Sequence, residues 1–331
     1  MKIMVTGGAG FIGSNFIRHL LKKYDYHIVN LDKLTYAGNL KNLTDVSNNK
    51  NYSFIKGDIC DKDIVEKAME GCSMVINFAA ETHVDRAIID AGSFIKTDVY
   101  GAYILLQAAK KCKIKRFIQI STDEVYGSIE NGSFSEDSPL NPRNPYSASK
   151  AGADKLAFSF FTTYNMPIII TRSSNNFGPY QHPEKFIPLF ITNLLEGKKV
   201  PLYGDGKNTR DWIYVLDNCE AIDFVMHKGK DGEIYNIAGN NEKQNIEMVN
   251  LVLKKLNKDK SYIEYVTDRL GHDRRYSIGC QKIKRLGWRP KHIFDDSLNL
   301  TIDWYKNNVS WWKGIKNRGI RGKNEGKKYS N

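Results

Sequence analysis

A glycine-rich loop close to the N-terminus constrains the fold of this chain more than any other feature of its sequence. Gly7, Gly10 and Gly13 are spaced Gly-x-x-Gly-x-x-Gly between an apolar run at residues 2–5 and an amphipathic stretch at residues 11–22. Glycine lets a chain turn sharply and lets its backbone approach a pyrophosphate closely. The N-terminus of a following helix offers free N–H groups and a positive dipole end to the phosphates. The order strand, glycine turn, helix therefore predicts a dinucleotide-binding βαβ unit.

The next apolar run ends in an acid that bears on the choice of cofactor. Residues 26–31 are predicted to form the second strand, and Asp32 follows it, 19 residues after Gly13. A carboxylate at this place accepts hydrogen bonds from a ribose 2′-hydroxyl and repels a 2′-phosphate. The cofactor is therefore predicted to be NAD and not NADP. Lys33 is a neighbour of opposite charge, but a single lysine usually faces solvent.

The first half of the chain continues this alternation of apolar runs and amphipathic stretches. Such an alternation is typical of α/β proteins with helices on both faces of a parallel sheet. We therefore expect a Rossmann-type doubly wound parallel sheet. Its further predicted strands are residues 52–56, 74–78, 116–120 and 167–171, and its further predicted helices are residues 62–69, 94–111 and 147–164.

The composition of the chain changes after Asn175, where loops rich in Gly, Pro, Asn and Tyr separate shorter elements. This pattern predicts a smaller, interleaved α/β region that binds the substrate. We expect an NAD-binding domain at residues 1–174, to which residues 211–240 return. The substrate-binding region is expected at residues 175–210 and 241–310.

A tyrosine and a lysine four residues apart are candidates for proton transfer. Tyr146 and Lys150 lie at the start of a predicted helix and share one of its faces. A phenol with its usual pKa of about 10 is a poor base at neutral pH. A nearby ammonium favours the phenolate and would lower the pKa of Tyr146. The pair could then take a proton from a hydroxyl while the carbon gives its hydride to NAD.

Two adjacent acids follow the predicted strand at residues 116–120. Asp123 and Glu124 would lie at the carboxyl edge of the sheet, where α/β proteins bind ligands. Once a sugar is oxidised to a ketone at C4, loss of water across C5 and C6 needs a base and an acid. Two neighbouring carboxyl groups can divide these roles, because their repulsion separates their proton affinities. An exposed acidic turn is the alternative, and the position just before the tyrosine–lysine helix argues against it.

Together these motifs resemble the extended short-chain dehydrogenase/reductase family. The resemblance rests on the glycine loop, Asp32, the segment Asn77-Phe78-Ala79-Ala80, a hydroxyl residue after the 116–120 strand and the Tyr146/Lys150 pair. Thr122-Asp123-Glu124 is similar to the signature of nucleotide-sugar 4,6-dehydratases in that family, whereas its 4-epimerases carry small residues in place of the acids. The similarity extends over nearly the whole chain and includes residues 80–86, 172–181 and 205–212.

The resemblance implies a reaction and a role for each acid–base residue. The expected reaction is the dehydration of dTDP-glucose to dTDP-4-dehydro-6-deoxy-glucose, with oxidation at C4, loss of water across C5 and C6, and hydride return to C6. NAD would stay tightly bound and be regenerated in each turnover. Asp123 is implied as the acid, Glu124 as the base at C5, and Tyr146 as the base for the oxidation. Thr122 would assist the tyrosine, and Lys150 would also hold the nicotinamide ribose.

The resemblance also implies which residues line the two ligands. Beside the three glycines, Tyr146 and Lys150, the NAD site would contain Phe11, Ile12, Asp32, Lys33, Leu34, Thr35, Asp58, Ile59, Ala79, Ala80, Glu81, Thr82, His83, Thr97 and Asn176. The glucosyl group would contact His83, Thr122 and Asn175. The diphosphate and nucleotide would be surrounded by Lys185, Pro201, Tyr203, Arg210, Asn245, Arg269, His272 and Tyr276. Leu270 stands where many family members have proline, which leaves the nucleotide preference open.

Charge, cysteines and hydropathy limit the other classes of protein. Of the net charge of +12, seven units come from residues 306–331, so residues 311–331 are expected to form a solvated basic tail. The five cysteines are scattered without ligand spacing, so we expect neither a metal site nor a disulfide framework. No apolar run approaches the roughly 20 residues of a membrane span, and no signal pattern precedes the glycine loop. A cytoplasmic protein is therefore expected.

Several alternatives stay open on the sequence alone. A UDP-sugar 4-epimerase or a UDP-glucose 4,6-dehydratase would use the same scaffold. The two acids argue against the first, and only substrate assays separate thymine from uracil. A non-catalytic NAD-binding or nucleic-acid-associated protein is suggested by the basic tail, but the presence of the complete acid–base set counts against it. The resemblance implies a homodimer through the helices at residues 94–111 and 147–164, with no nucleic acid or membrane partner.

Overall fold

The computed structural model describes residues 1–268 and 271–326, with the side chains of the last helix described as far as residue 317. The strands are β1 (Lys2–Thr6), β2 (His27–Asp32), β3 (Tyr52–Lys56), β4 (Met74–Asn77), β5 (Arg116–Thr122), β6 (Ile168–Ser173), β7 (Asn175–Phe177), β8 (Val200–Tyr203), β9 (Thr209–Tyr214), β10 (Ile234–Ile237), β11 (Glu242–Gln244) and β12 (Ile263–Val266). The helices are α1 (Phe11–Lys23), α2 (Lys62–Met69), α3 (Val84–Ile89), α4 (Ala91–Phe94), α5 (Gly101–Lys111), α6 (Pro145–Tyr164), α7 (Phe186–Leu195), α8 (Val215–Lys228), α9 (Asn245–Lys255), α10 (Gln281–Arg285), α11 (Phe294–Asn307) and α12 (Val309–Gly326).

Seven of these strands form the central sheet, in the order β10-β6-β5-β4-β1-β2-β3. All neighbouring strands are parallel, which requires a crossover connection between each pair and apolar residues on both faces. One apolar core packs α1 and α8 against one face, and a second packs α2, α5 and α6 against the other. The strand order reverses between β1 and β4, and the crevice at their carboxyl ends is where such sheets bind ligands. The predicted fold class is confirmed.

The predicted helix at residues 94–111 is divided in the structure. A π-helical turn, Ile95–Tyr100, separates α4 from α5. The turn carries Asp98, which is buried and accepts hydrogen bonds from the Glu81 N–H at 2.8 Å and the Ser149 hydroxyl at 2.6 Å. Turns of this kind often occur at functional sites. The sequence periodicity could not reveal this irregularity, because one extra residue in a turn shifts the apolar pattern only slightly.

A third apolar core belongs to the smaller region that follows residue 175. Here β9 pairs with β7 in parallel and with β11 in antiparallel, and β8 pairs with β12. The core between these strands and α7, α9 and α11 contains Phe190, Leu202, Val252 and Tyr305. The smaller, interleaved α/β region is therefore confirmed as part of the fold. Between residues 211 and 240, α8 packs on the large sheet and β10 forms its edge strand, while the exact domain boundaries stay a prediction.

Candidate active site

The glycine loop has the backbone geometry that only glycine permits. Gly7 has a φ of +65°, and a Cβ added to it would lie 2.7 Å from the backbone nitrogen of Ala79. A Cβ on Gly13 would lie 2.5 Å from the carbonyl oxygen of Gly7. Helix α1 starts directly after Gly10, with no side-chain cap and no acid in its first turn. The N–H groups at this helix start are therefore directed at a space that suits an anion such as a pyrophosphate.

Asp32 is held at the edge of this loop by backbone hydrogen bonds. Its two carboxylate oxygens accept from the Ala9 N–H at 2.9 Å and the Leu34 N–H at 2.7 Å. Burial raises the pKa of Asp32, and these two bonds oppose the rise. Each oxygen keeps a further lone pair for a ribose hydroxyl. Lys33 forms an ion pair with Asp58 at 2.7 Å, so its charge is already matched by a carboxylate.

The tyrosine–lysine helix begins earlier than the sequence pattern indicated, at Pro145. Asn144 caps it, with its side chain accepting from the Ser147 N–H at 2.9 Å and the Ser147 hydroxyl accepting from the Asn144 N–H at 3.3 Å. This capping box places Tyr146 in the first turn. Lys150, one turn later, is buried and donates from Nζ to the carbonyl oxygen of Ile120 at 2.7 Å.

The structure contradicts the expectation that Lys150 lowers the pKa of Tyr146. Burial raises the pKa of the Tyr146 phenol well above its usual value, and the carboxylates of Glu124, Asp98 and Asp123 act in the same direction. A hydrogen bond with Thr122 opposes them only in part. The sequence spacing revealed the lysine but not the three carboxylates that the fold brings around the phenol. In this arrangement Tyr146 therefore keeps its proton at neutral pH.

The two acids form a short 3-10 turn, Asp123–Tyr126, directly after β5. Thr122 caps the turn, since its hydroxyl accepts from the Glu124 N–H at 3.3 Å and donates to Asp123 Oδ1 at 3.2 Å. Asp123 is buried, and its pKa is raised well above the usual range by burial, then by Glu124 and Asp211. The Asp123 carboxyl therefore holds its proton to a higher pH than an exposed aspartate does, which suits a proton donor.

A loop of the smaller region lies against this turn. The Tyr276 hydroxyl lies 3.5 Å from Glu124 Oε2 and donates to Asp273 Oδ2 at 2.5 Å. The Arg210 guanidinium lies 4.2 Å from the centroid of the Tyr276 ring and donates to the Asp273 carbonyl oxygen at 3.0 Å. Two residues predicted to bind the diphosphate and nucleotide therefore lie together beside a predicted catalytic acid.

The segment after β4 is held over the same edge of the sheet. Lys185 donates from Nζ to the carbonyl oxygen of Thr82 at 2.6 Å, and Glu81 is bonded through its N–H to Asp98. His83 is half-buried, and burial followed by the charge of Lys185 lowers its pKa, so its imidazole is neutral at pH 7. This side chain can therefore accept or donate a hydrogen bond without adding charge.

The remaining predicted ligand residues are distributed over both regions. Tyr203 and His272 meet edge to face with their ring centroids 6.3 Å apart. The Asn245 N–H bonds to the carbonyl of Asn208, and Asn176 donates to Ser173 and Ser174. The side-chain oxygen of Asn175 is buried without a partner, which leaves it available to a ligand. Arg269 lies outside the described residues.

Sequence reasoning missed Asp98 and Asp273, which support the residues named above. Asp98 approaches Lys150, and burial raises its pKa to about 6 despite that charge. Asp273 is buried and also lies 3.5 Å from Arg143. An acid within an otherwise apolar predicted helix was the available signal for Asp98. Asp273 gave no such signal, because it lies in a polar loop.

The described part of the chain was also compared with the predictions on metals, membrane spans and cysteines. Within residues 1–268 and 271–326, no group of three or more His, Cys, Asp or Glu side chains is arranged to hold a metal ion. None of the helices in this part of the chain is both long and apolar enough to cross a membrane. All five cysteines are free thiols.

Comparisons with known proteins agree with this geometry. The family model described as GDP-mannose 4,6 dehydratase matches residues 4–301. The low-salt glycan biosynthesis protein Agl12 of Haloferax volcanii is 51% identical over 305 residues, which cover 92% of this chain and 98% of that protein. The structure of DesIV, a dTDP-glucose 4,6-dehydratase from Streptomyces venezuelae with NAD bound, matches with a TM-score of 0.94 and 47% identity over 95% of this chain and 100% of that one. A UDP-glucose 4-epimerase from Thermus thermophilus is more distant, at 28% identity and a TM-score of 0.87 over 93% and 100% of the two chains.

Proposed function

Because the chain belongs to the GDP-mannose 4,6 dehydratase family, we propose that it is a hydro-lyase that converts dTDP-glucose to dTDP-4-dehydro-6-deoxy-glucose. One observation carries this proposal. The buried Asp123, whose pKa is raised well above its usual value, lies beside Glu124 at the carboxyl end of β5, and both carboxyl groups lie close enough to Tyr146 to raise the pKa of its phenol. An epimerase needs to remove and return a hydride only at C4, so it has no use for this additional acid–base pair.

NAD is the cofactor of the proposed reaction, and the chain offers a site that fits it. The free helix start after Gly10 suits the pyrophosphate, and the fixed carboxylate of Asp32 suits a ribose. Bound NAD would supply the oxidation of C4 and the later reduction of C6, so none is consumed. The residues that would line it are those that the resemblance implies, from Phe11 and Ile12 to Thr97 and Asn176.

The first step needs Tyr146 to accept the proton of the C4 hydroxyl. In the structure, burial and the nearby carboxylates raise the pKa of the phenol, so the phenol keeps its own proton. The pKa of the phenol must therefore fall when the site is filled, and Lys150, which is already on the same helical face, would then be the cation that stabilises the phenolate. Thr122 would form a hydrogen bond with the C4 hydroxyl of the sugar and keep that group aligned with Tyr146.

The second step divides water loss between the two acids. Glu124 would take the C5 proton, which the C4 ketone makes acidic, and Asp123 would give its proton to the departing C6 hydroxyl. Burial raises the pKa of the Asp123 carboxyl, and a raised pKa is what a general acid needs. His83 and Asn175 would hold the glucosyl group, since both lie at this edge of the sheet with polar atoms available.

The nucleotide end is proposed to lie beside the loop that follows β12. A guanidinium such as that of Arg210 matches phosphate oxygens through its several donors. The Tyr203 and His272 rings, which meet edge to face, would offer an aromatic surface to the base, with Pro201 and Asn245 implied beside them by the resemblance. A UDP-glucose 4,6-dehydratase would use the same residues. Assays with the two nucleotide sugars distinguish it from the proposed dTDP-glucose 4,6-dehydratase.

The proposal extends to the assembly, location and pathway of the enzyme. Ile95 and Tyr100 in the π-helical turn, Tyr103 on α5 and Phe158 on α6 are exposed, which supports a homodimer through these helices. The five free thiols are in keeping with a cytoplasmic location. The 4-dehydro-6-deoxy product is a precursor for deoxysugar biosynthesis, for which the rhamnose pathway is the candidate. No nucleic acid or membrane partner is proposed.

The deciding experiment is incubation of the purified chain and NAD with dTDP-glucose or, in parallel, UDP-glucose. We expect the alkaline absorbance of a 4-keto sugar to develop with dTDP-glucose, at a kcat/KM at least tenfold above that for UDP-glucose. A stable 4-epimer without keto sugar would identify an epimerase instead. Faster turnover of UDP-glucose would reassign the nucleotide, and the absence of any product would overturn the proposed function.

A further inference from the structure

A buried ion pair lies behind the catalytic turn and takes no part in the proposed chemistry. Arg172 Nε donates to Asp154 Oδ2 at 2.9 Å, and the two side chains are 3% and 1% exposed. Arg172 belongs to β6 and Asp154 to α6, so the pair joins the sheet to the helix that carries Tyr146. Buried pairs contribute little net stability but are specific in geometry, so they can define a position.

The strand register places this pair directly beside the end of β5. Arg172 is paired in register with Ser121 on one side and with Asn236 of β10 on the other. Residues in register on parallel strands point to the same face of a sheet. The three side chains therefore form a row across the sheet, one residue before the segment that begins at Thr122.

Two residues that flank the catalytic triplet bond to this pair. Before the triplet, the Ser121 hydroxyl donates to Asp154 Oδ2 at 3.0 Å. After it, the Tyr126 hydroxyl accepts from Arg172 Nη1 at 2.8 Å and donates to Asn236 Oδ1 at 2.9 Å. All of these side chains are buried. Both ends of the segment from Thr122 to Glu124 are thus tied to one fixed point.

The same helix also ties the preceding residue of β5. Lys150 bonds to the Ile120 carbonyl, and Asp154, one helical turn further along α6, bonds to the side chain of Ser121. Consecutive residues of the strand are therefore held by consecutive turns of the helix. Because Tyr146 is one turn earlier on α6, its distance from the acids depends on these contacts.

We propose that the Asp154–Arg172 pair, with Ser121 and Tyr126, is a positioning device that sets the acids of the catalytic turn relative to Tyr146. The inference rests on the proposed function, since it assigns the device to the dehydration step. Thr122 is fixed by the strand ladder itself, whereas Asp123 and Glu124 lie beyond the last ladder pair. Loss of the Tyr126 tie should therefore displace the acids more than the residues that carry out the oxidation.

The test is the Tyr126→Phe variant, which removes one hydroxyl and keeps the ring that stacks on Phe134. The matched control is Tyr235→Phe, also a buried tyrosine, whose hydroxyl accepts from the Lys230 N–H before β10. Lys230 precedes the strand, so this hydroxyl lies at the edge opposite the site. Both variants and the parent enzyme are mixed with dTDP-glucose, and the rise and decay of NADH absorbance are followed in one turnover.

We expect Tyr126→Phe to form NADH at a rate within threefold of the parent and to lose it about 10- to 100-fold more slowly, with KM within threefold. Tyr235→Phe should match the parent in both phases. Equal slowing of both phases, or decay within threefold of the parent, would overturn the proposal. A parent that forms no keto sugar would instead refute the proposed function.

A second variant keeps the proposal testable if Tyr126→Phe does not fold. Ser121→Ala removes the tie at the other end of the triplet and leaves the ion pair itself intact. Here too we expect NADH to decay about tenfold more slowly than in the parent, while the rate of NADH formation is unchanged. A Ser121→Ala enzyme with the parent's decay rate would show that this tie does not position the acids.

Discussion

The two ends of the proposed ligand cleft, one for the cofactor and one for the sugar, are built by different means. At the cofactor end, the backbone makes the site: Gly7 and Gly13 leave no room for a Cβ, and α1 presents its uncapped start. At the sugar end, side chains make the site, with the acids and Tyr146 surrounded by other buried polar groups. The cofactor end depends on backbone conformations that few residues other than glycine can adopt. The sugar end depends on side chains whose pKa values are shifted by their neighbours.

This difference decides what a substitution does at each end. A backbone site fails when a side chain fills it, so its ligand is lost but the chemical groups elsewhere remain. A side-chain site fails when one functional group is replaced, so the ligands bind but a step stops. Binding and turnover should therefore separate cleanly between the two ends.

Removing the phenol at the sugar end should have the largest effect. Tyr146→Phe takes away the proposed acceptor of the proton of the C4 hydroxyl, so we expect kcat to fall about 10⁴-fold. Since oxidation comes first, neither NADH nor keto sugar should accumulate. NAD affinity, measured by fluorescence titration, should change less than threefold. Near-normal turnover in this variant would remove Tyr146 from the mechanism.

Replacing the base should stop the reaction one step later. Glu124→Gln leaves C4 oxidation intact but cannot take the C5 proton, so we expect a loss of about 10³-fold in kcat and an NADH absorbance that persists. Glu130→Gln, at an exposed acid six residues along the chain, is the matched control and should behave like the parent. Dehydration at the parent's rate would exclude Glu124 as the base.

At the cofactor end the effect should appear in binding. Gly13→Ala places a Cβ 2.5 Å from the Gly7 carbonyl oxygen, so the loop must move away from its pyrophosphate-binding shape. We expect the Kd for NAD to rise about 100-fold, with kcat at saturating NAD within threefold of the parent. Gly314→Ala is the control, because an added Cβ there meets no atom within 4 Å. Unchanged NAD affinity would contradict the proposed cofactor site.

The same difference explains how much the sequence could predict. Local rules were enough to predict a Rossmann-type parallel sheet from the glycine spacing and from the alternation of strands and helices. The structure confirms this fold. The residue types of the acid–base set were also visible in the sequence. The raised pKa of Tyr146 was not, because carboxyl groups from two separate elements, the turn after β5 and the π-helical turn, lie near the phenol. The Arg172–Asp154 pair was hidden for the same reason, since strand register and helix packing bring its members together.

Asp98 joins the two ends, and it gives the smallest expected effect. Its carboxylate accepts from the Glu81 N–H beside the proposed cofactor site and from the Ser149 hydroxyl on α6, the helix that carries Tyr146. Burial raises the pKa of Asp98 from 3.8 to about 6 in the folded chain. The folded state thus binds this proton more tightly than the unfolded state. The stability that the protonated form contributes is complete below pH 4 and is lost as the pH rises through about 6.

The loss amounts to about 3 kcal/mol, or roughly 5 °C in Tm, between these pH values. Asp98→Asn cannot ionise, so its Tm should change less than the parent's between pH 4 and pH 7, and the difference between the two slopes is the measurement. Asp303→Asn, at an exposed acid on α11, should keep the parent's slope. Parallel pH profiles for the parent and Asp98→Asn would mean that Asp98 is already ionised at pH 4. The junction between the two ends would then be held by a permanent charge opposite Lys150 and not by a protonated carboxyl group.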